Sequence, residues 1–257
     1  MPAGPSLSLI GLAGIKLVEP GDDIGAIAVA ALAANDVAPR DGDVLVVAQK
    51  IVSKAEGRYA EFDGVVPSER AKALAAELDK DPRLVEIILA ESKRVVRHRP
   101  GLLIVEHRLG FVMANAGVDR SNITAPGGRE RVLLLPLEPD ASARRLHEHL
   151  ARTCGRRIAV VINDSFGRPW RKGVVGVALG AAGLPALIDL RGRPDLFGRE
   201  LQVTEIAFAD QIADAAALLM GQAGEAVPMV LVRGLDWSAP DLPAAALVRP
   251  PEHDLFR

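Results

Sequence analysis

Ile158-Ala159-Val160-Val161-Ile162-Asn163-Asp164-Ser165 is the stretch on which the fold turns. Every residue of its aliphatic part except Ala159 is β-branched, which suits a strand covered on both faces and placed centrally in a sheet. Polar residues take over where the apolar run stops. In parallel or mixed sheets that position commonly exposes functional side chains, so Asp164 is better placed than an average acid. Upstream, Asp140 is expected to cap a helix through Ala143, Leu146 and Leu150, before Cys154-Gly155 leads into the strand. Downstream, Val174 to Leu190 is the most apolar segment, but it is short, rich in Gly and broken by Pro185, so it does not read as a membrane span.

The same alternation of short aliphatic runs and helical patterns continues toward both ends. Asp22-Asp23, after Pro20-Gly21, suits the start of a helix reaching Asn35, and the Asp41-Gly42-Asp43 turn leads into a buried strand from Val44 to Val47. Ser68-Glu69 opens a helix that breaks near Asp81-Pro82 and resumes toward Lys93, which reads as a polar surface pair. Val95 to Ala114, punctuated by Pro100-Gly101 and Gly110, reads as two or three antiparallel strands. A last helix from Thr204 places Ile206, Ala209, Ala213, Ala216 and Met220 on one face and stops at Gly221. The Pro-containing tail after Gly234 is expected to wrap the surface or fray. With no internal repeat, the pattern predicts an α+β (mixed α/β) fold of mixed and antiparallel sheets with flanking helices.

Composition narrows the function. A chain of 257 residues, 49% hydrophobic and 25% charged, is globular, and its 4% aromatic content leaves Ala, Val and Leu to fill the core. A formal charge of -2 removes any global electrostatic case for nucleic acid or an anionic membrane as partner. Cys154 is the single cysteine, which excludes an internal disulfide or a multi-thiolate zinc site and points to a reducing, cytoplasmic setting. The first residues have no basic flank, and the apolar stretch from Leu7 is interrupted by Lys16, so no signal peptide is read there.

Three constellations can carry chemistry. Asn115-Ala116-Gly117-Val118-Asp119-Arg120-Ser121-Asn122 packs small residues and polar oxygens into a turn after a strand; its plain alternative is an Asx-turn closing a loop. Asn163-Asp164-Ser165 supplies carboxylate and hydroxyl oxygens, which suit Mg²⁺ or Mn²⁺, against the plain alternative of a turn residue. Gln49-Lys50-Ile51-Val52-Ser53-Lys54 follows a strand with several donors that could neutralise polyphosphate, although most Lys-rich turns are merely solvated. Arg168, Arg171 and Lys172 make a second cationic cluster around Trp170. The glycines at 173, 176, 180 and 183 do not form G-x-G-x-x-G, and no Walker A loop occurs. His147 and His149, two apart on a helix, diverge and face solvent, and the sequons at Asn122 and Asn163 are set aside without a secretion signal.

Taken in order, Gly14-Ile15-Lys16-Leu17 before Pro20-Gly21-Asp22-Asp23, Ile51 to Arg58, Ala114 to Asn122 and Asn163 to Arg168 resemble the coenzyme F-420-0:L-glutamate ligase family from about Leu9 to Gly234. The resemblance implies a GTP-dependent ligase that adds L-glutamate to the phospholactyl end of a deazaflavin coenzyme, with Mg²⁺ or Mn²⁺, with K⁺ as a further cation, and as a homodimer. It implies a ligase domain over residues 1–245, made of two interleaved α+β subdomains around a nucleotide and metal cleft, with residues 246–257 as a tail. Carried over by position, it makes Asp119, Asp164, Ser165 and Gln222 metal ligands. It lines the nucleotide site with Gly14, Ile15, Lys16, Leu17, Gln49, Lys54, Asn122, Met220, Gly221, Gln222, Ala223, Gly224, Glu225, Ala226 and Val227. The chain departs from the family pattern at Lys16, Gln49 and Gln222.

The expected chemistry asks for no protein nucleophile. A carboxylate must be activated before an amide can form in water, and transfer of a γ-phosphoryl group needs mainly metal clamps and cationic charge, which Asp119, Asp164 and Lys54 could supply. Cys154 is then a small packed residue. Two other readings stay open at this level: a nucleotide-dependent enzyme acting on a different carboxylate, and a deazaflavin-binding module without catalysis.

Overall fold

The computed structural model describes residues 4–123 and 126–255. The elements run β1 (Ser8–Gly11), α1 (Ile24–Ala34), β2 (Val44–Ala48), α2 (Gln49–Ala55), β3 (Tyr59–Glu61), α3 (Glu69–Leu78) and α4 (Pro82–Ala90). They continue with β4 (Ser92–Arg99), β5 (Leu102–His107), β6 (Val112–Ala114), β7 (Arg131–Leu133), α5 (Pro139–Cys154) and β8 (Ala159–Arg168). The last are β9 (Arg171–Ala182), β10 (Ile188–Asp189), β11 (Glu205–Ile206), α6 (Phe208–Met220) and β12 (Met229–Arg233).

The main sheet has the order β1-β12-β2-β8-β9, with β2 and β8 parallel and the other neighbours antiparallel. Because successive strand residues point to opposite faces, Leu45, Val47, Val160, Ile162 and Leu231 join α1 and α5 in one core layer. Val44, Val46, Val161, Val230 and Val232 join α6 in the other. Both faces are covered, which is why these strands are continuously apolar; each such side chain contributes about 1.5–3 kcal/mol on burial.

Two of the glycines that fail to form a dinucleotide motif have a packing role instead. A Cβ at Gly180 would lie 2.4 Å from the backbone of Pro139 in α5, and one at Gly176 would lie 2.6 Å from the backbone of Ala213 in α6. Strand β9 is thus pinched between two helices. Its outer edge is closed by carboxylates: Asp214 accepts from the Gly176 N–H, Asp210 from Ala178 and Asp140 from Ala181. Asp140 also accepts from the N–H groups of Ala244 and Ala245. It therefore does not cap α5, whose N-cap position is Glu138 with no side-chain bond.

A second unit packs α3 and α4 on the antiparallel β4-β5-β6 sheet. The expected surface pair is polar only in part, because Val85 and Ile88 of α4 are buried with Leu103 and Val105, and Ile87 is buried with Phe62 and Val132. Helix α4 also stops at Ala90, and Lys93 already belongs to β4. Helix α1 has the expected start, with the Asp23 carboxylate accepting from Gly25 and Ala26. Helix α6 begins later than read, since Ile206 sits in β11. After β12 the chain packs on: Ala244 is fully buried and Leu247 joins the core layer under α6. The last two residues of the expected tail, and Thr124 of the first sequon, lie outside the described residues. Among the described residues no helix is long and apolar enough to cross a membrane.

Candidate nucleotide and metal site

The position of Asp164 corrects the expectation of a strand end. Strand β8 runs on to Arg168 because β9 keeps pairing with it, Asp164 opposite Val177 and Ser165 opposite Gly176. It is β2 that ends, at the pair of Ala48 with Asn163. From there, among the described residues, β8 has no strand partner on that side, and opposite Ile162 and Asn163 a register shift leaves Leu179 of β9 as the extra residue. A cavity of about 590 Å³ opens at this step, floored by Asn163, Asp164 and Ser165.

Three segments wall the cavity. Ile15, Lys16 and Leu17 supply one side; Gln49, Lys50 and Lys54, from the helix that starts where β2 stops, supply the second. The loop after α6 supplies the third, with Met220, Gly221, Gln222, Ala223, Gly224, Ala226 and Val227. Asn122 stands at the mouth, where its carbonyl accepts from Lys54 Nζ at 2.8 Å and its amide donates to the Ala223 carbonyl. Of the residues expected here, Gly14 and Glu225 do not face the cavity. The Glu225 carboxylate folds back to accept from the Ala223 N–H and shapes its own loop.

Asp119 arrives from a different element. Asn115, Ala116 and Gly117 all have positive φ, 51°, 54° and 67°, so the chain makes a left-handed turn immediately after β6. Asp119 is then pinned by reciprocal backbone hydrogen bonds with Leu133. Its carboxylate lies behind the cavity wall and meets Lys50, which does line it: Lys50 Nζ is 2.6 Å from Asp119 Oδ2 and 2.6 Å from Ser121 Oγ.

The electrostatics of the two acids diverge. Burial pushes the Asp164 carboxyl up to about 6, opposed by the Ser165 N–H and the Lys50 charge and reinforced by Asp119. Burial acts the same way on Asp119, but hydrogen bonds from Lys50 and Ser121 outweigh it and hold that carboxyl below its ordinary value. Lys54 is lowered by burial first and then by repulsion from Lys50 and Arg131. Three cationic side chains, Lys16, Lys50 and Lys54, line the cavity, and a polyphosphate could use them.

The donors fit a hard cation. Two carboxylates, the Ser165 hydroxyl and the Gln222 side chain, whose nitrogen donates to Ser165 Oγ at 2.8 Å, offer oxygen ligands without sulfur or imidazole. Among the described residues Asn163 Oδ1 is buried without a hydrogen-bond partner at the same floor, an acceptor that a bound cation or substrate donor would satisfy. Among the described residues no cluster of three or more acidic, His or Cys side chains that could hold a metal ion forms.

Over residues 14–234 the sequence matches the F420-0:Gamma-glutamyl ligase family. The chain belongs to that family. The coenzyme F420:L-glutamate ligase of Methanopyrus kandleri is 47% identical over 94% of this chain and 94% of its own length. The protein of the same name from Methanothermobacter thermautotrophicus is 44% identical over 98% and 99%. That from Natronomonas pharaonis is 43% identical over 95% and 92%. Membership in the F420-0:gamma-glutamyl ligase family makes the chain an enzyme, a ligase, and sets aside the non-catalytic binding module.

Sequence reasoning quoted Lys50 and Asn163 inside their motifs but gave neither a role. Lys50 could have been singled out by its place one turn before Lys54 on the same helix face, and Asn163 by its place beside Asp164. The cationic cluster at Arg168, Arg171 and Lys172 does not reach the cavity; it sits at the β8–β9 hairpin tip beside the exposed Trp170. His147 and His149 diverge as read, but both are half-buried: His147 bonds the Ile158 carbonyl and His149 packs on Gly25.

Proposed function

We propose that the chain is a GTP-dependent ligase that joins L-glutamate to the phospholactyl carboxylate of the deazaflavin coenzyme F-420-0. One observation carries this reading: Asp164 floors, and the Lys50 that pairs with Asp119 lines, a cavity walled by the segments that the family resemblance assigns to nucleotide. Asp119, Asp164, Ser165 and Gln222 would hold Mg²⁺ or Mn²⁺, which supplies charge neutralisation at the transferring phosphoryl group. Lys54 and Lys50 contribute cationic charge toward the phosphates, and Ile15, Leu17 and Val227 offer apolar wall to the base. The substrate carboxylate attacks the γ-phosphorus and GDP leaves, giving an acyl phosphate; the glutamate amine then adds, loses a proton and expels phosphate.

Family resemblance further supports a homodimer, K⁺ as an additional cation and a cytoplasmic setting, and the lone Cys154 is consistent with the last. The deciding experiment incubates the purified chain with GTP, L-glutamate, Mn²⁺ and the deazaflavin acceptor and follows product mass and GDP. A product heavier by one glutamyl unit, formed with equimolar GDP, is expected. Equal yield without GTP, or GDP release that ignores glutamate and acceptor, overturns the reading. Light scattering tests the dimer.

A further inference from the structure

We infer that the Lys50 ammonium is an internal counter-ion that holds the divalent cation's place at Asp119 until nucleotide draws it away. This rests on the metal reading of Asp119 and Asp164 given above. The ammonium lies 2.6 Å from Asp119 Oδ2 and 2.6 Å from Ser121 Oγ, and its charge also acts on Asp164. The Asp119 oxygen is one that a cation would use. A divalent ion takes oxygen ligands at about 2.0–2.1 Å, so it and an ammonium of like charge cannot share one carboxylate oxygen.

Entry of the cation therefore expels Lys50, and the energetic question is where the ammonium goes. Lys50 is the second residue of α2, its side chain is 30% exposed, and it lines the cavity next to Lys54, so its nearest new anion is a nucleotide phosphate in that cavity. Without nucleotide, displacement leaves the ammonium beside Lys54 with no compensating charge, and the cation binds weakly. With nucleotide, the same displacement forms a charge-assisted hydrogen bond. Cation and nucleotide thus favour each other reciprocally, through one side chain with two alternative partners.

Mn²⁺ binding, read from the electron paramagnetic resonance signal of the free ion and so independent of turnover, tests this with and without a non-hydrolysable GTP analogue. For the unmodified chain the analogue is expected to tighten Mn²⁺ binding by at least about tenfold. Lys50→Met is expected to bind Mn²⁺ alone at least about tenfold more tightly than the unmodified chain, with a nucleotide enhancement at least about threefold smaller, the remainder coming from direct ligation by the phosphates. Lys50→Arg, which keeps the charge, retains the original coupling; should Lys50→Met not fold, Lys50→Gln carries the same expectation. A Lys50→Met chain that binds Mn²⁺ no more tightly, or keeps the full nucleotide enhancement, overturns the inference. Asp119→Asn and Asp164→Asn separate the two failures. If they abolish Mn²⁺ binding while Lys50→Met gains nothing, the Lys50 inference alone falls; if they leave Mn²⁺ binding intact, the metal site itself falls.

Discussion

Asp164 and Asp119 are the same residue type held in opposite ways. Asp164 sits inside the ten-residue strand β8, whose backbone is fixed by β9 and whose preceding residues are core. Asp119 sits on a loop, delivered by a left-handed turn and pinned by Leu133. Burial drives the first carboxyl up, whereas Lys50 and Ser121 hold the second down. The difference teaches that a strand fixes an acid's place without satisfying its charge, while a loop can wrap donors around an acid but must be made rigid by other means.

The comparison breaks most visibly if either acid is removed. Asp164→Ala and Asp119→Ala should each lower glutamyl transfer at least about a hundredfold, roughly 2.7 kcal/mol of barrier, in a steady-state phosphate-release assay. A variant that kept a tenth or more of the activity would show that the two acids do not act on one site. Next comes the rigidity of the loop side. A Cβ at Gly117, where φ is +67°, would lie 2.7 Å from Leu135 Cδ2, so Gly117→Ala should cost about 1–3 kcal/mol in a urea melt. The contrasting change on the strand side, Gly167→Ala, meets open space and should shift the same melt by less than about 0.5 kcal/mol.

Glu91 sharpens the contrast from a distance, because it ties the unit that carries Asp119's loop to the rest of the molecule. At the end of α4 it accepts from Arg58 and Arg108 and faces His107 Nε2 at 3.5 Å, the outer limit of a hydrogen bond. Burial disfavours its charge, but these partners prevail and hold the carboxyl at about 2, below the ordinary 4.5. Its stabilisation is therefore complete above pH 4.5 and disappears as pH falls toward about 2. Glu91→Gln should lose about 1–2 kcal/mol at neutral pH, and its melt should converge with that of the unmodified chain in acid. The smallest effect belongs to Cys154, a half-buried thiol raised by burial and outside the cavity: Cys154→Ala should leave turnover within about twofold.

Much of the fold was legible because apolar period and cap chemistry are local. Val44 to Val47 and Ile158 to Ile162 read as strands from their own residues, and Asp23 and Gly221 marked helix ends. What failed depended on neighbours distant in sequence. The Asp140 carboxylate chose the backbone of β9 and of Ala244 over its own helix start, and β8 outran its apolar run because β9 continued beside it. For the site, the motifs located the walls, but no spacing rule could place Lys50 against Asp119, a contact 69 positions apart made by two elements meeting in space.

The row of Asp214, Asp210 and Asp140 along β9 bears on assembly. With the outward amides of Gly176, Ala178 and Ala181 already occupied, that margin offers an incoming backbone no free amide at those three positions, which disfavours merging two sheets across it. A partner meeting that margin would have to use side-chain surfaces rather than ladder bonds at those three positions. Replacing those aspartates would therefore be expected to create stickiness before it creates unfolding.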